Sequence, residues 1–319
     1  MKRLTKCLLI AVPFAFSAQI ASAETFVRML TGPAGGSWYP YGAKMMELAG
    51  KQMKGVSTSS APGGGVGNVR NVERKKAEFG WTFANTAYDA YNARGKFKKE
   101  HKNLRFFGNL FPGVLQSVVP ASSDIRSYKD LANKRLSPGK LTFSGNIATE
   151  KMLALHGITY DGVKKAGGNI HRVGFSDSVA LMKDGHIDAF FALTTAPNSS
   201  FIALSFSPGI RFLSVEDSVA AKYVEQNPGF IKTTIKAGTY KDLKEDVATI
   251  AAPTVLIAHK GVSDKIAYDM AKIIWDGHAE IAKVNKFWNS VKLSDALQGS
   301  AIPVHPGAMR FYKEKGVSK

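Results

Sequence analysis

Two apolar periodicities take turns along this chain, and that alternation restricts the fold to a narrow class. TFVRMLTG (25–32) alternates with period two, and GAKMMELAGKQM (42–53) then places Met45, Leu48, Ala49 and Met53 on one helical face. VSTSSAPGGG (56–65) reads as a strand running into a glycine loop, and VGNVRNVERKKA (66–77) as a helix. EFGWTFAN (78–85) is a strand, TAYDAYNAR (86–94) a helix capped by Asn85 and ending near Gly95, and LRFFGNLF (104–111) and VLQSVVP (114–120) are two further strands. The same grammar then repeats. RSYKDLANKR (126–135) is helical by pattern, and RLSPGKLTF (135–143) leads to an SGN loop and a helix that stops at Gly157. HRVGF (171–175) reads as a strand, SDSVALMKDG (176–185) as a helix capped by Ser176 or Asp177, and HIDAFFALTT (186–195) as a buried strand with a polar end. VATIAAPTVLIAH (247–259) reads as a strand broken by Pro253, and the stretch from Ser263 to Lys283 as long helix. Strands alternating with helices predict parallel α/β sheets, here in two lobes: 24–120 with 250–319 as the first and 121–249 as the second.

The first 23 residues obey a different logic. A basic MKRLTK, an apolar CLLIAVPFAFSAQIA and the small-residue end Ala21-Ser22-Ala23 form a cleaved secretory signal rather than a membrane anchor. The only cysteine, Cys7, lies inside it, so the mature chain holds no disulfide and no cysteine-rich zinc site. The net charge of +18 becomes +15 once Lys2, Arg3 and Lys6 leave with the signal. That charge favours anionic partners, but export argues against nucleic acid, and the lysines are scattered as on an ordinary solvated surface.

Four loops of small residues stand immediately before predicted helices: GGSWYP (35–40), PGGG (62–65), FANT (83–86) and SGNIAT (144–149). Each offers backbone N–H groups at a helix start, where the helix dipole favours an anion. Ser37, Asn68, Asn85, Ser144, Asn146 and Thr149 add neutral hydrogen-bonding groups. Converging, such loops hold a carboxylate without a formal positive charge. Tyr39 is the aromatic with the best claim to touch the ligand, because its hydroxyl lies in the polar loop. Catalytic signatures are missing: no G-x-x-x-x-G-K-[ST], H-E-x-x-H or G-x-S-x-G occurs, and the seven histidines show no metal-ligand spacing. No catalytic residue, metal or cofactor is therefore expected.

At these loops the chain resembles the TAXI family of solute receptors that serve tripartite TRAP transporters. The fragments that carry the likeness run in order: GPAGGSWYPYGAKMMEL (32–48), APGGGVGNVRNVERKKAEFGW (61–81), TAYDAY (86–91), IRSYKDLANKRL (125–136), FSDSVALMKDGHIDAFF (175–191), the stretch 233–257 and IPVHPGAMRFYKEKG (302–316). The resemblance implies a two-lobed periplasmic-binding-protein fold of the second type, with the ligand cleft between the lobes. It implies a periplasmic receptor, expected to be a monomer, that closes on a small organic anion and delivers it to membrane permease subunits. Family members with known solutes bind glutamate, 2-oxoglutarate and similar acids. Ser37, Tyr39, Gly64, Gly65, Asn68, Asn85 and Thr86 are the expected ligand contacts of the first lobe, and Ser144, Asn146, Thr149, Thr194 and Asn198 those of the second. Two departures fall at such contacts. Phe83-Ala84-Asn85 stands where many members have a Gln-Ser-Asp-like tripeptide, and SGNIATE replaces a GSGTE-like loop. These changes predict a smaller or less polar acid than glutamate. A sensory receptor and a secreted hydrolase are the competing expectations.

Overall fold

The computed structural model describes residues 25–318. The predicted signal segment, with Cys7, lies outside the described residues. The strands are β1 (Thr25–Leu30), β2 (Val56–Ala61), β3 (Phe79–Phe83), β4 (Leu104–Pro120), β5 (Arg135–Ser137), β6 (Asn169–Ile170), β7 (Ala189–Thr194), β8 (Ile210–Phe212), β9 (Ile231–Ile235) and β10 (Val247–His259). The helices are α1 (Trp38–Gln52), α2 (Gly65–Glu73), α3 (Ala84–Tyr91), α4 (Ser144–Leu155), α5 (Tyr160–Lys165), α6 (Phe175–Lys183), α7 (Ser199–Phe206), α8 (Asp217–Gln226), α9 (Asp264–Asp276), α10 (His278–Ala282) and α11 (Pro306–Glu314).

One mixed sheet runs β2-β1-β3-β10-β4-β7-β5-β6, with β8 added on β4 and β9 on β10. At one end β1 pairs in parallel with β2 and β3; at the other β5 pairs in parallel with β6 and β7. The two long antiparallel strands β4 and β10 join these ends. β4 pairs with β10 along its first part and with β7 and β8 from Val114 onward, while β10 pairs with β9 over Val247–Ala251 and with β3 over Thr254–Ala258. The fold is α/β and two-lobed, of the second periplasmic-binding-protein type. Burial follows the sequence pattern: Val27 and Met29 of β1 point inward while Phe26 and Arg28 face out, and β3 and β7, covered on both faces, are buried throughout.

Several local expectations change. The two strands expected at 104–111 and 114–120 are one strand, and Pro253 does not break β10. The reason is register: Pro253 lies opposite Pro112, so two residues without N–H groups face each other. RSYKDLANKR forms only a single 3-10 turn over Tyr128–Leu131, closed by a capping box between Ser127 and Asp130. The strand expected at 171–175 falls two residues earlier, as β6. The expected long helix from Ser263 is cut at Gly277 into α9 and α10. Asn85 is not a cap: Phe83 holds that position, and Asn85 sits in the first turn of α3.

Candidate functional site

In this topology β1, β2, β3, β5 and β7 all point their carboxyl ends at the boundary between the lobes, where ligands of open α/β sheets bind. The helices that follow them begin there. α1 starts after Ser37, α2 after Gly64, α3 after Phe83, α4 after Phe143 and α7 after Asn198. The first N–H groups of each helix have no partner inside that helix, so the boundary collects donors and the positive ends of dipoles.

A cavity of about 30 Å³ lies between the lobes, enough for one or two waters. From the first lobe, Ser37, Trp38, Gly64, Gly65 and Phe83 reach it; from the second, Phe143, Ser144, Gly145, Phe191 and Thr194 do. Trp38 packs on Phe83 at 4.8 Å and on Trp81 at 6.0 Å, and Phe143 meets Phe175 edge-on at 5.7 Å, so both walls are aromatic. No side chain lining this cavity carries a charge.

The lobes touch through polar contacts around the cavity. Ser37 Oγ lies 3.4 Å from Thr194 Oγ1, and Thr86 Oγ1 donates to Ser144 Oγ at 3.0 Å. The Thr142 carbonyl accepts the Val66 and Gly67 N–H groups, each at 3.1 Å, and so caps α2 from the opposite lobe. Ser199 and Ser200 donate to the Gly35 carbonyl at 3.2 and 3.0 Å, and Lys96 pairs with Glu150 at 3.1 Å. Glycine is required where these surfaces meet: a Cβ on Gly64 would lie 2.3 Å from a Phe143 ring carbon, and one on Gly65 2.3 Å from Ser144 Oγ.

Beyond the Thr86–Ser144 contact lies a wider cavity of about 430 Å³. Asn85, Asp89, Lys96, Lys98, Glu150 and Lys151 border it, so it is as charged as the inner one is neutral. Burial raises the Asp89 carboxyl pKa, against the pull of Lys151 and Arg94. Asn85 Oδ1 is buried without a protein partner.

Among the expected contacts, Ser37, Gly64, Gly65, Ser144 and Thr194 line the inner cavity, and Asn85 and Thr86 the outer one. The others stand elsewhere. Tyr39 is 41% exposed and lines neither cavity, because a helix starting at Trp38 turns the next residue away to solvent while Trp38 takes the wall. Asn68 is buried and engaged: its amide donates to the Leu30, Thr31 and Trp81 carbonyls and its oxygen accepts from Gly64 N–H, tying the first three strand ends together. Asn146 donates to the Gly139 carbonyl and accepts from Arg172, whose guanidinium lies over the Tyr160 ring at 5.1 Å. Asn198 caps α7 by accepting from Ser200 N–H, and it donates to Thr194 Oγ1 at 3.3 Å, positioning that hydroxyl from behind. Thr149 is fully buried, and its hydroxyl has no partner. Phe143, Phe175, Phe191 and Leu193 of the lining were not singled out from sequence; in a pattern they are indistinguishable from core.

Among the described residues no helix is long and apolar enough to cross a membrane, and no cluster of three or more His, Cys, Asp or Glu could hold a metal ion. Similar folds occur in BugD, a periplasmic binding protein (TM-score 0.55, 13% identity, covering 93% of this chain and 99% of that one), and in a periplasmic transporter protein (0.52, 14%, 92% and 93%). The alkanesulfonate-binding protein SsuA of Xanthomonas axonopodis pv. citri, bound to MOPS, is also similar (0.50, 12%, 92% and 85%). Residues 29–316 match the model of the NMT1-like family, and the chain therefore belongs to that family, on a periplasmic-binding-protein fold.

Proposed function

We propose that this chain is an extracytoplasmic receptor of a tripartite TRAP transporter, of the TAXI kind. It binds a small organic anion between its lobes and delivers it to membrane permease subunits. The observation that carries this reading is the meeting of several helix starts and three hydroxyls, those of Ser37, Ser144 and Thr194, at one cavity between the lobes. The backbone donors and dipoles bind the carboxylate, and the hydroxyls orient it. The wider cavity with Lys96, Lys98 and Lys151 is the approach, where positive charge raises the local concentration of the anion. The ordered motif fragments support the TRAP assignment. The first lobe comprises 24–120 and 250–319 and the second 121–249, with the hinge in the crossing strands β4 and β10. The protein acts in the periplasm, as a monomer and without catalysis.

A thermal-shift screen of the mature chain against organic acids, amino acids and neutral sugars tests this. A solute that binds only the folded protein raises the melting temperature in step with its concentration. An organic acid is expected to do so. A shift with a sugar and with no anion would overturn the reading.

A further inference from the structure

The inner cavity specifies more than an anion. We infer that its solute is a short monocarboxylate with an apolar body, and that dicarboxylates and acidic amino acids are rejected. The inference rests on the receptor reading above and narrows its ligand.

The argument is one of charge placement. Trp38, Phe83, Phe143, Phe175, Phe191 and Leu193 supply most of the wall, and the polar side chains in it are the hydroxyls of Ser37, Ser144 and Thr194. One carboxylate can be satisfied by those hydroxyls together with the N–H groups at the starts of α1 and α4, while the Val66 and Gly67 N–H groups of α2 are held by the Thr142 carbonyl. A second carboxylate on the same solute would face aromatic rings with no cation to pair it, and an unpaired buried charge is costly. Arg172, which reaches Asn146 of α4, is committed to Asn146 Oδ1 and the Tyr160 ring and is not in the wall. The lysines of the outer cavity stand beyond the Thr86–Ser144 hydrogen bond. The neutral wall also lacks a carboxylate to receive an ammonium group, which excludes an α-amino acid on the same ground.

Calorimetric titration of the mature chain with acetate, propionate and butyrate, and with succinate, glutamate and propionamide, decides the matter. Affinity is expected to rise about fourfold for each methylene added, until the cavity is full. Succinate and glutamate are expected to bind at least about 100-fold more weakly than the best monocarboxylate. Succinate or glutamate binding as tightly as butyrate or better would overturn the monocarboxylate inference while leaving the receptor reading intact. Binding of propionamide in preference to propionate, or no binding by any acid, would overturn the anion-receptor reading itself.

Discussion

Gly64 shows how one missing side chain can couple binding to closure. Its backbone is extended at φ −169°, which any residue adopts, so alanine there strains nothing within the first lobe. The obstacle is the other lobe: the added Cβ would lie 2.3 Å from the Phe143 ring and 2.8 Å from the Thr142 carbonyl oxygen. Overpacking of this kind costs about 1–3 kcal/mol, and on the receptor reading proposed above only the form with the lobes together bears it. Gly64→Ala is therefore expected to weaken solute binding about 5- to 150-fold by titration, while the melting temperature without solute stays within a few degrees of the parent. An equal loss of stability would place the clash inside one lobe and remove the coupling. The glycine loops were legible in the sequence because they recur after strands, although each taken singly reads as an ordinary cap or turn. Tyr39 and Asn68 were not separable from the residues that line the cavity. Whether a polar group in such a loop faces a ligand, solvent or three backbone carbonyls depends on its helical phase and on strand ends far away in the chain.

At the scale of elements, α11 depends on a histidine for its start. His305 is buried, accepts from Gly307 N–H through Nδ1 and contacts the Val262 carbonyl through Nε2 at 3.1 Å. Burial holds its pKa below the ordinary value even though Asp264 Oδ1 lies 3.9 Å away, since that carboxylate is well exposed and its attraction screened. Burial and the neighbouring Lys75 and Lys260 lower His259 in the same direction. A histidine whose folded pKa is depressed binds its proton more readily in the unfolded chain. Stability is therefore full above the unfolded value of about 6.5 and declines as pH falls below it toward the folded value. Urea denaturation at pH 7.5 and pH 5 is expected to show this loss. His305→Asn, which keeps a capping acceptor, is expected to show less of it; an unchanged pH dependence would assign the titration elsewhere. The helices and strands with strong patterning were readable from local sequence for the same reason they are stable: α1, α2 and β1 have one apolar face, and β3 and β7 are apolar runs buried on both faces. β4, β10 and the break at Gly277 were not. The two prolines become compatible with strands only once they lie opposite each other, and that pairing joins residues far apart in the sequence.

The molecule as a whole joins its two lobes through strands β4 and β10, and on the receptor reading proposed above the polar contacts across the boundary are a latch that closure makes and opening breaks. The most informative part is the Thr142 carbonyl, which accepts the Val66 and Gly67 amides of the opposite lobe. These two N–H groups belong to the first turn of α2, so they have no helical partner to fall back on and become solvated when the lobes part. Their hydrogen exchange therefore reports opening rather than unfolding. A solute that binds the closed form stabilises it by RT ln(1 + [L]/Kd), about 2.7 kcal/mol at 100 times Kd, so exchange at Val66 and Gly67 should slow roughly 100-fold at that concentration. Amides near the C-terminal end of α11, far from the boundary, exchange by local fraying and should keep their rates. If Val66 and Gly67 exchanged at the same rate with and without saturating solute, the contact with Thr142 would not depend on closure, and the solute would have to act without drawing the lobes together.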